Sequence, residues 1–141
     1  MVLLTLNYEY KGNNINNTQE QIHFTVNIVL GSDDEANFTY SIDGKEVTGG
    51  GVVRTETAGI YSLDEATLAK GFLFTGATIT DVDKETPCAQ DFSFKVSDNG
   101  RTITIIDTDE NPGTACLVFN VECNGKAYKS ADPQIENKEE K

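Results

Sequence analysis

The sequence predicts one all-β domain, an antiparallel β-sandwich of immunoglobulin-like kind with one short helix near residues 63–70. Three observations carry this reading. Apolar residues recur at every second position in four separate segments, which is the period of a strand with one buried face. Turn dipeptides interrupt those segments about every ten residues, the spacing of a sandwich or barrel. Only one stretch carries helix start and stop signals.

The first clear strand is Ile22 to Leu30. Ile22, Phe24, Val26, Ile28 and Leu30 take one face, and His23, Thr25 and Asn27 the other. Gly31-Ser32-Asp33-Asp34-Glu35 ends it as a polar turn. Phe38, Tyr40 and Ile42 alternate next, and Asp43-Gly44 is a hairpin signal, because both central positions of a type I′ turn need positive φ. Gly49-Gly50-Gly51 reads as a flexible junction or corner. It lacks the lysine and the strand-to-helix setting of a phosphate loop. Val52 to Thr55 and Phe72 to Thr80 read as strands. Phe92, Phe94 and Val96 alternate up to the turn Asp98-Asn99-Gly100, and Ile103 and Ile105 return. Leu117, Phe119, Val121 and Cys123 precede Asn124-Gly125, so a hairpin leads into Lys126-Ala127-Tyr128.

The helix falls over Ser62 to Gly71. Ser62 with Glu65 three residues later forms a capping box, and Gly71 suits the left-handed position after the last turn. Before residue 20, Met1 to Tyr10 reads as a short first strand, with Tyr8 and Tyr10 sharing a face, followed by an Asn-rich loop. Glu136 to Lys141 reads as a charged, frayed tail, so one domain spans residues 1–135.

The chain has 141 residues. A domain of that length buries roughly two-thirds of its unfolded surface without a metal or disulfide. Its 23 acidic and 11 basic residues give a net charge of −12. Phosphate backbones and anionic membranes repel such a surface, and no Lys/Arg cluster offsets this. Nucleic acid and membrane are therefore excluded as partners. The apolar run at residues 1–6 has no basic residue before it and is too short for a signal sequence. A soluble, cytoplasmic protein is expected. Cys88, Cys116 and Cys123 are odd in number, which suits buried reduced thiols over a disulfide framework.

Chemistry-bearing patterns are few. Asp107, Asp109 and Asn111 alternate in an acidic loop and are the candidate calcium ligands. The EF-hand pattern fails there, since Pro112 stands where glycine is needed and Val118 where glutamate is needed. The alternative is a solvated turn. His23 is the only histidine and no Cys-x-x-Cys pair accompanies it, so a zinc site is not built. Cys88 follows Pro87 in a loop, but Glu85 and Asp91 flank it, and a reactive thiolate needs an electropositive setting. Tyr8, Tyr10, Tyr61 and Tyr128 are the aromatics available to a sugar platform. No catalytic residue and no cofactor is expected.

The C-terminal pattern is a strand, an Asn-Gly hairpin, a short strand, and then Asp132-Pro133-Gln134-Ile135-Glu136-Asn137. It resembles the ending of small bacterial domains of the DP-EP family, as does the stretch Phe72 to Asp81 with Phe74-Thr75-Gly76 leading into Thr78-Ile79-Thr80. The resemblance implies a β-sandwich and supplies no catalytic residue to carry over. Physically, Pro133 removes a ladder donor and ends strand pairing, while Ile135 anchors the tail. The expected function is a non-catalytic interaction or structural module, meeting a protein partner or its own copy through an edge strand. The alternative is a small-ligand or carbohydrate-binding module assisted by calcium at Asp107, Asp109 and Asn111.

Overall fold

The computed structural model describes residues 19–138, which fold into two β-sheets closed on one core. The strands are β1 (Glu20–Leu30), β2 (Ala36–Ile42), β3 (Lys45–Val47), β4 (Gly51–Val53), β5 (Thr57–Leu63), β6 (Phe72–Asp81), β7 (Phe92–Ser97), β8 (Thr102–Asp107), β9 (Gly113–Cys123), β10 (Lys126–Lys129) and β11 (Gln134–Asn137). Helix α1 covers Glu65–Ala69. No helix among the described residues is long and apolar enough to cross a membrane.

The first sheet runs β3-β2-β1-β5-β8-β7. In the second, β9 is the spine. Strand β6 pairs along one side of it, β10 and β11 share the other side, and β4 lies beyond β11. The alternation read in the sequence is what faces the sheets together. Ile22, Phe24, Val26 and Ile28 of β1 are buried, as are Ile103 and Ile105 of β8 and Leu117, Phe119 and Val121 of β9. Tyr61 links the layers. Its ring stacks on Phe24 at 4.4 Å and meets Phe119 at 4.6 Å. Side chains of this size stabilise by roughly 1.5–3 kcal/mol each when fully buried.

The turns follow their chemistry. Asn124 and Gly125 have φ of 53° and 86°, and Asp43 and Gly44 have 51° and 84°, as two-residue type I′ turns require. The Gly49-Gly50-Gly51 run is not a flexible junction, for all three residues are buried. A Cβ on Gly49 would lie 2.6 Å from the Tyr40 ring. One on Gly50 would strike the Gln134 carbonyl, 2.9 Å from its carbon. Glycine is there because β11 and Tyr40 approach the backbone too closely for a side chain.

Four expectations are corrected. The sheets are mixed rather than antiparallel, since β1 pairs parallel to β5 and β4 parallel to β11. After the β1-β2-β3 meander the chain crosses to the second sheet through β4 and returns as β5 beside β1. Such a crossover is what parallel neighbours need, and side-chain alternation looks the same in either direction. Ser62 does not cap the helix. It belongs to β5, 3.3 Å from the Thr102 hydroxyl, and Asp64 is the cap, accepting from Thr67 N at 2.8 Å. The capping partner is the N3 residue counted from Asp64, and β5 claims Ser62 and Leu63 first. The domain runs past residue 135, because Glu136 and Asn137 are in β11 and Asn137 is buried. Finally, Pro133 does not end a strand: β10 stops at Lys129, and Pro133 stands directly before β11, its carbonyl already accepting from Leu117 N. The predicted first strand and the last residues of the tail lie outside the described residues.

Candidate functional site

The end of β8 and the loop that follows it hold all three candidate ligands, and the structure gives them different partners. Asp107 ends β8 on the inward face and is buried. Its Oδ1 accepts from Asp109 N at 2.9 Å and from Asn137 Nδ2 at 3.2 Å. Asn111 donates through Nδ2 to Asp91 Oδ1 at 2.6 Å. Asp91 is the hub. Its Oδ2 accepts from Glu110 N at 2.9 Å, Asn111 N at 2.7 Å and Asn137 Nδ2 at 3.3 Å. The turn before it is shaped by Asp81, whose Oδ1 accepts from Cys88 N at 2.6 Å and Ala89 N at 2.8 Å. Thus Asp81 sets the turn Ala89–Asp91, the turn presents Asp91, and Asp91 gathers the loop.

This arrangement gives the loop's side chains partners within the protein. Calcium needs six to eight oxygens turned toward one point. Here N–H groups occupy both oxygens of Asp91 and one of Asp107, and Asn111 presents its nitrogen. Among the described residues no three His, Cys, Asp or Glu side chains are placed to hold a metal ion. Burial, with Asp109 and Asp91 nearby, pushes the Asp107 carboxyl up to about 7, against the hydrogen bonds it accepts. Sequence reasoning missed Asp91 and Asn137. The signal for Asn137 was available, since Pro133, Ile135 and Asn137 continue one inward face at period two.

The other singled-out residues have structural places. Cys88 is buried against Gly113. Burial first, then Asp81, Asp107, Asp91 and Asp109, push its thiol up to about 11, which suits an inert thiol. All three cysteines are free. His23 is exposed on the outer face of β1. Tyr61 is a core residue and not a sugar platform. Tyr128 is half-buried against Phe72 at 5.9 Å. Tyr8 and Tyr10 lie outside the described residues.

The Asp-Pro segment lines an open groove of about 820 Å³. One wall is Asp132, Pro133 and Gln134, and the other is Phe38, Thr39 and Tyr40 of β2 with Glu46, Val47 and Thr48. The segment is held from behind. Tyr40 donates its hydroxyl to the Asp132 carbonyl at 3.3 Å, and Leu117 N donates to the Pro133 carbonyl at 2.8 Å. Burial first raises the Tyr40 hydroxyl above its ordinary range, with the Asp132 charge adding to it, so it stays a donor. Phe38, Tyr40, Val47 and Pro133 are its apolar lining, and the carboxylates of Glu46 and Asp132 are exposed. Strand β3, which pairs only with β2 among the described strands, runs along this groove.

Among curated proteins none matches the chain. A family model, described as the DP-EP family, matches residues 20–139 and so takes in all eleven strands, the Asp91 cluster and the groove. The chain belongs to the DP-EP family.

Proposed function

We propose that this domain is a non-catalytic interaction module that takes an extended segment of a protein partner into the groove between β3 and Asp132-Pro133-Gln134. The observation that carries this reading is the edge of β3, unpaired among the described strands, lying along a groove that Phe38, Tyr40, Val47 and Pro133 line together with the carboxylates of Glu46 and Asp132. An added strand gains main-chain hydrogen bonds from such an edge, and its alternate side chains read the floor. Glu46 and Asp132, on a chain of net charge −12, favour a segment carrying Lys or Arg. The edge is short, as edges kept from indiscriminate pairing are.

The test is selection from a random linear-peptide display library. Peptides enriched in Lys or Arg with alternating apolar residues are expected. Binding is lost in the double variant Glu46→Lys, Asp132→Lys, whose two sites are exposed and leave the core intact. Enrichment that ignores charge, or survives the reversal, sinks the reading. A carbohydrate module is the second reading, favoured by Phe38 and Tyr40 beside Thr39, Thr48 and Gln134 in the same groove. Glycan-array binding with no peptide enrichment would establish it instead.

A further inference from the structure

Strand β3 offers an incoming chain very little main chain, and that fixes how a partner must lie. The register pairs Ile42 with Lys45 and Tyr40 with Val47 across the two-residue Asp43-Gly44 turn. In an antiparallel pair, residues that exchange both hydrogen bonds alternate with residues whose N–H and C=O point away. The residues flanking a two-residue turn are of the first kind, so Lys45 and Val47 spend their main-chain groups on β2. Glu46, opposite Ser41, turns both of its groups to the open edge. Within β3 it is the one residue that does so.

The facing wall competes little for a partner's main chain. Pro133 has no N–H. Its carbonyl already accepts from Leu117 N, and the Asp132 carbonyl accepts from the Tyr40 hydroxyl. A strand added to β3 is therefore anchored at Glu46, by one residue that donates to the Glu46 carbonyl and accepts from the Glu46 N–H. That residue is not proline.

Side chains then sort by face. Alternation places Glu46 with Ser41 on the outer face of the sheet and Val47 with Tyr40 on the inner face, where Tyr40 is buried. Lys45, opposite Ile42, belongs to the inner face too, at its exposed end. In an antiparallel partner, the residue before the anchor comes opposite Val47 and the residue after it opposite Lys45. Directly opposed side chains interact, unlike charges favourably and like charges unfavourably. Among the described residues neither Lys45 nor Glu46 has an ion-pair partner, so both charges are left for the incoming strand.

Given strand addition at this groove, the reading proposed above, we infer that the partner lies antiparallel to β3 and carries a three-residue core, read from its N-terminal side as apolar, basic, acidic. The apolar residue meets Val47 beside Tyr40 and Pro133, the Lys or Arg meets Glu46, and the Asp or Glu meets Lys45. Parallel addition would reverse that order, and it makes the weaker ladder.

The experiment repeats the linear-peptide display selection on wild type, Lys45→Glu and Glu46→Lys, both at exposed positions. Wild type should enrich the order apolar, basic, acidic. Lys45→Glu should turn the third residue basic, and Glu46→Lys should turn the second acidic. Mismatched peptides should bind on the order of 2- to 30-fold more weakly. An N-methyl group on the basic residue of the wild-type peptide should lower affinity on the order of 10-fold, since that N–H is the one donated to Glu46. On either neighbour it should cost less. The same charge pattern from all three proteins overturns the register, while the groove reading stands on their shared preference for Lys or Arg. The order acidic, basic, apolar, with the sensitive N–H on the residue after the basic one, overturns it as parallel addition. A wild-type selection that enriches no peptide removes the groove reading and this register together.

Discussion

Asp91 is where the site can be broken most informatively. Replacing it with alanine removes one buried carboxylate and leaves four N–H donors, from Glu110 N, Asn111 N, Asn111 Nδ2 and Asn137 Nδ2, without their acceptor. Hydrogen bonds to a charged group are worth about 1.5–3 kcal/mol each. Two of the four find substitutes. The Asn111 side chain is partly exposed and can turn to water, and Asn137 still has Asp107 and the Asn111 carbonyl. That leaves the two backbone donors, or about 3–6 kcal/mol. Relief of repulsion with Asp107 and Asp109 returns on the order of 1 kcal/mol. The expected net loss for Asp91→Ala is about 2–5 kcal/mol, read as a lowered urea midpoint with an unchanged slope. Asp91→Asn keeps one oxygen for the backbone donors and should lose less, about 1–2 kcal/mol. It should also lower the Asp107 titration midpoint, because a charge that raises it is gone. If Asp91→Ala unfolds within about 0.5 kcal/mol of wild type, the span of ordinary surface changes, Asp91 is not the hub of the loop and the reasoning fails.

Other predictions follow from the same geometry. Gly50→Ala drives a methyl group into the Gln134 backbone and should lower stability by about 1–3 kcal/mol, as overpacking does, with faster amide exchange in β11 as the local sign. Asp64→Ala removes the helix cap and should lose about 1 kcal/mol near neutral pH. Burial acts to raise the Asp64 carboxyl, but hydrogen bonds from Thr67 and Asn27 and the Lys70 charge hold it below its ordinary value. The stability it supplies is present above the unfolded carboxylate range and fades as pH falls. The gap between Asp64→Ala and wild type should therefore narrow in acid, and a gap that widens there would show the cap to be working by another route.

What the sequence made legible was whatever depends on one strand or one turn. The period-two faces of β1, β8 and β9 and the Asn124-Gly125 turn are local consequences of burial and of positive φ, and they are as the residues indicate except at Leu30, which is exposed at the end of β1. What it hid depends on partners. The parallel pairing of β1 with β5 leaves no mark on either strand. Ser62 and Asp64 offer nearly the same capping chemistry, and only the extent of β5 decides between them. The charge of Glu136 and its neighbours disguised a strand whose inward residue is an asparagine rather than an aliphatic. The acidic loop was legible as a place but not as chemistry. Asp107, Asp109 and Asn111 do gather, with the Asp109 N–H on Asp107, yet the residue that organises the loop, Asp91, comes from a turn twenty residues earlier than Asn111 and accepts from Glu110 N and from both N–H groups of Asn111. The Asp-Pro motif was legible as a strand boundary. That it also walls a groove depends on β2 and β3, far away in sequence.

The central claim is that β3 and the Asp-Pro segment together receive an extended basic partner. The most direct measurement is a two-dimensional amide NMR titration of nitrogen-15-labelled protein with the peptide that display selection enriches. The account predicts shifts confined to residues 38–40, 45–48 and 132–134, with the β3 amides gaining protection from exchange as a strand is added. Shifts centred on the outer edges of β6 and β7, or at the Asp91 cluster, with the groove unmoved, would contradict it.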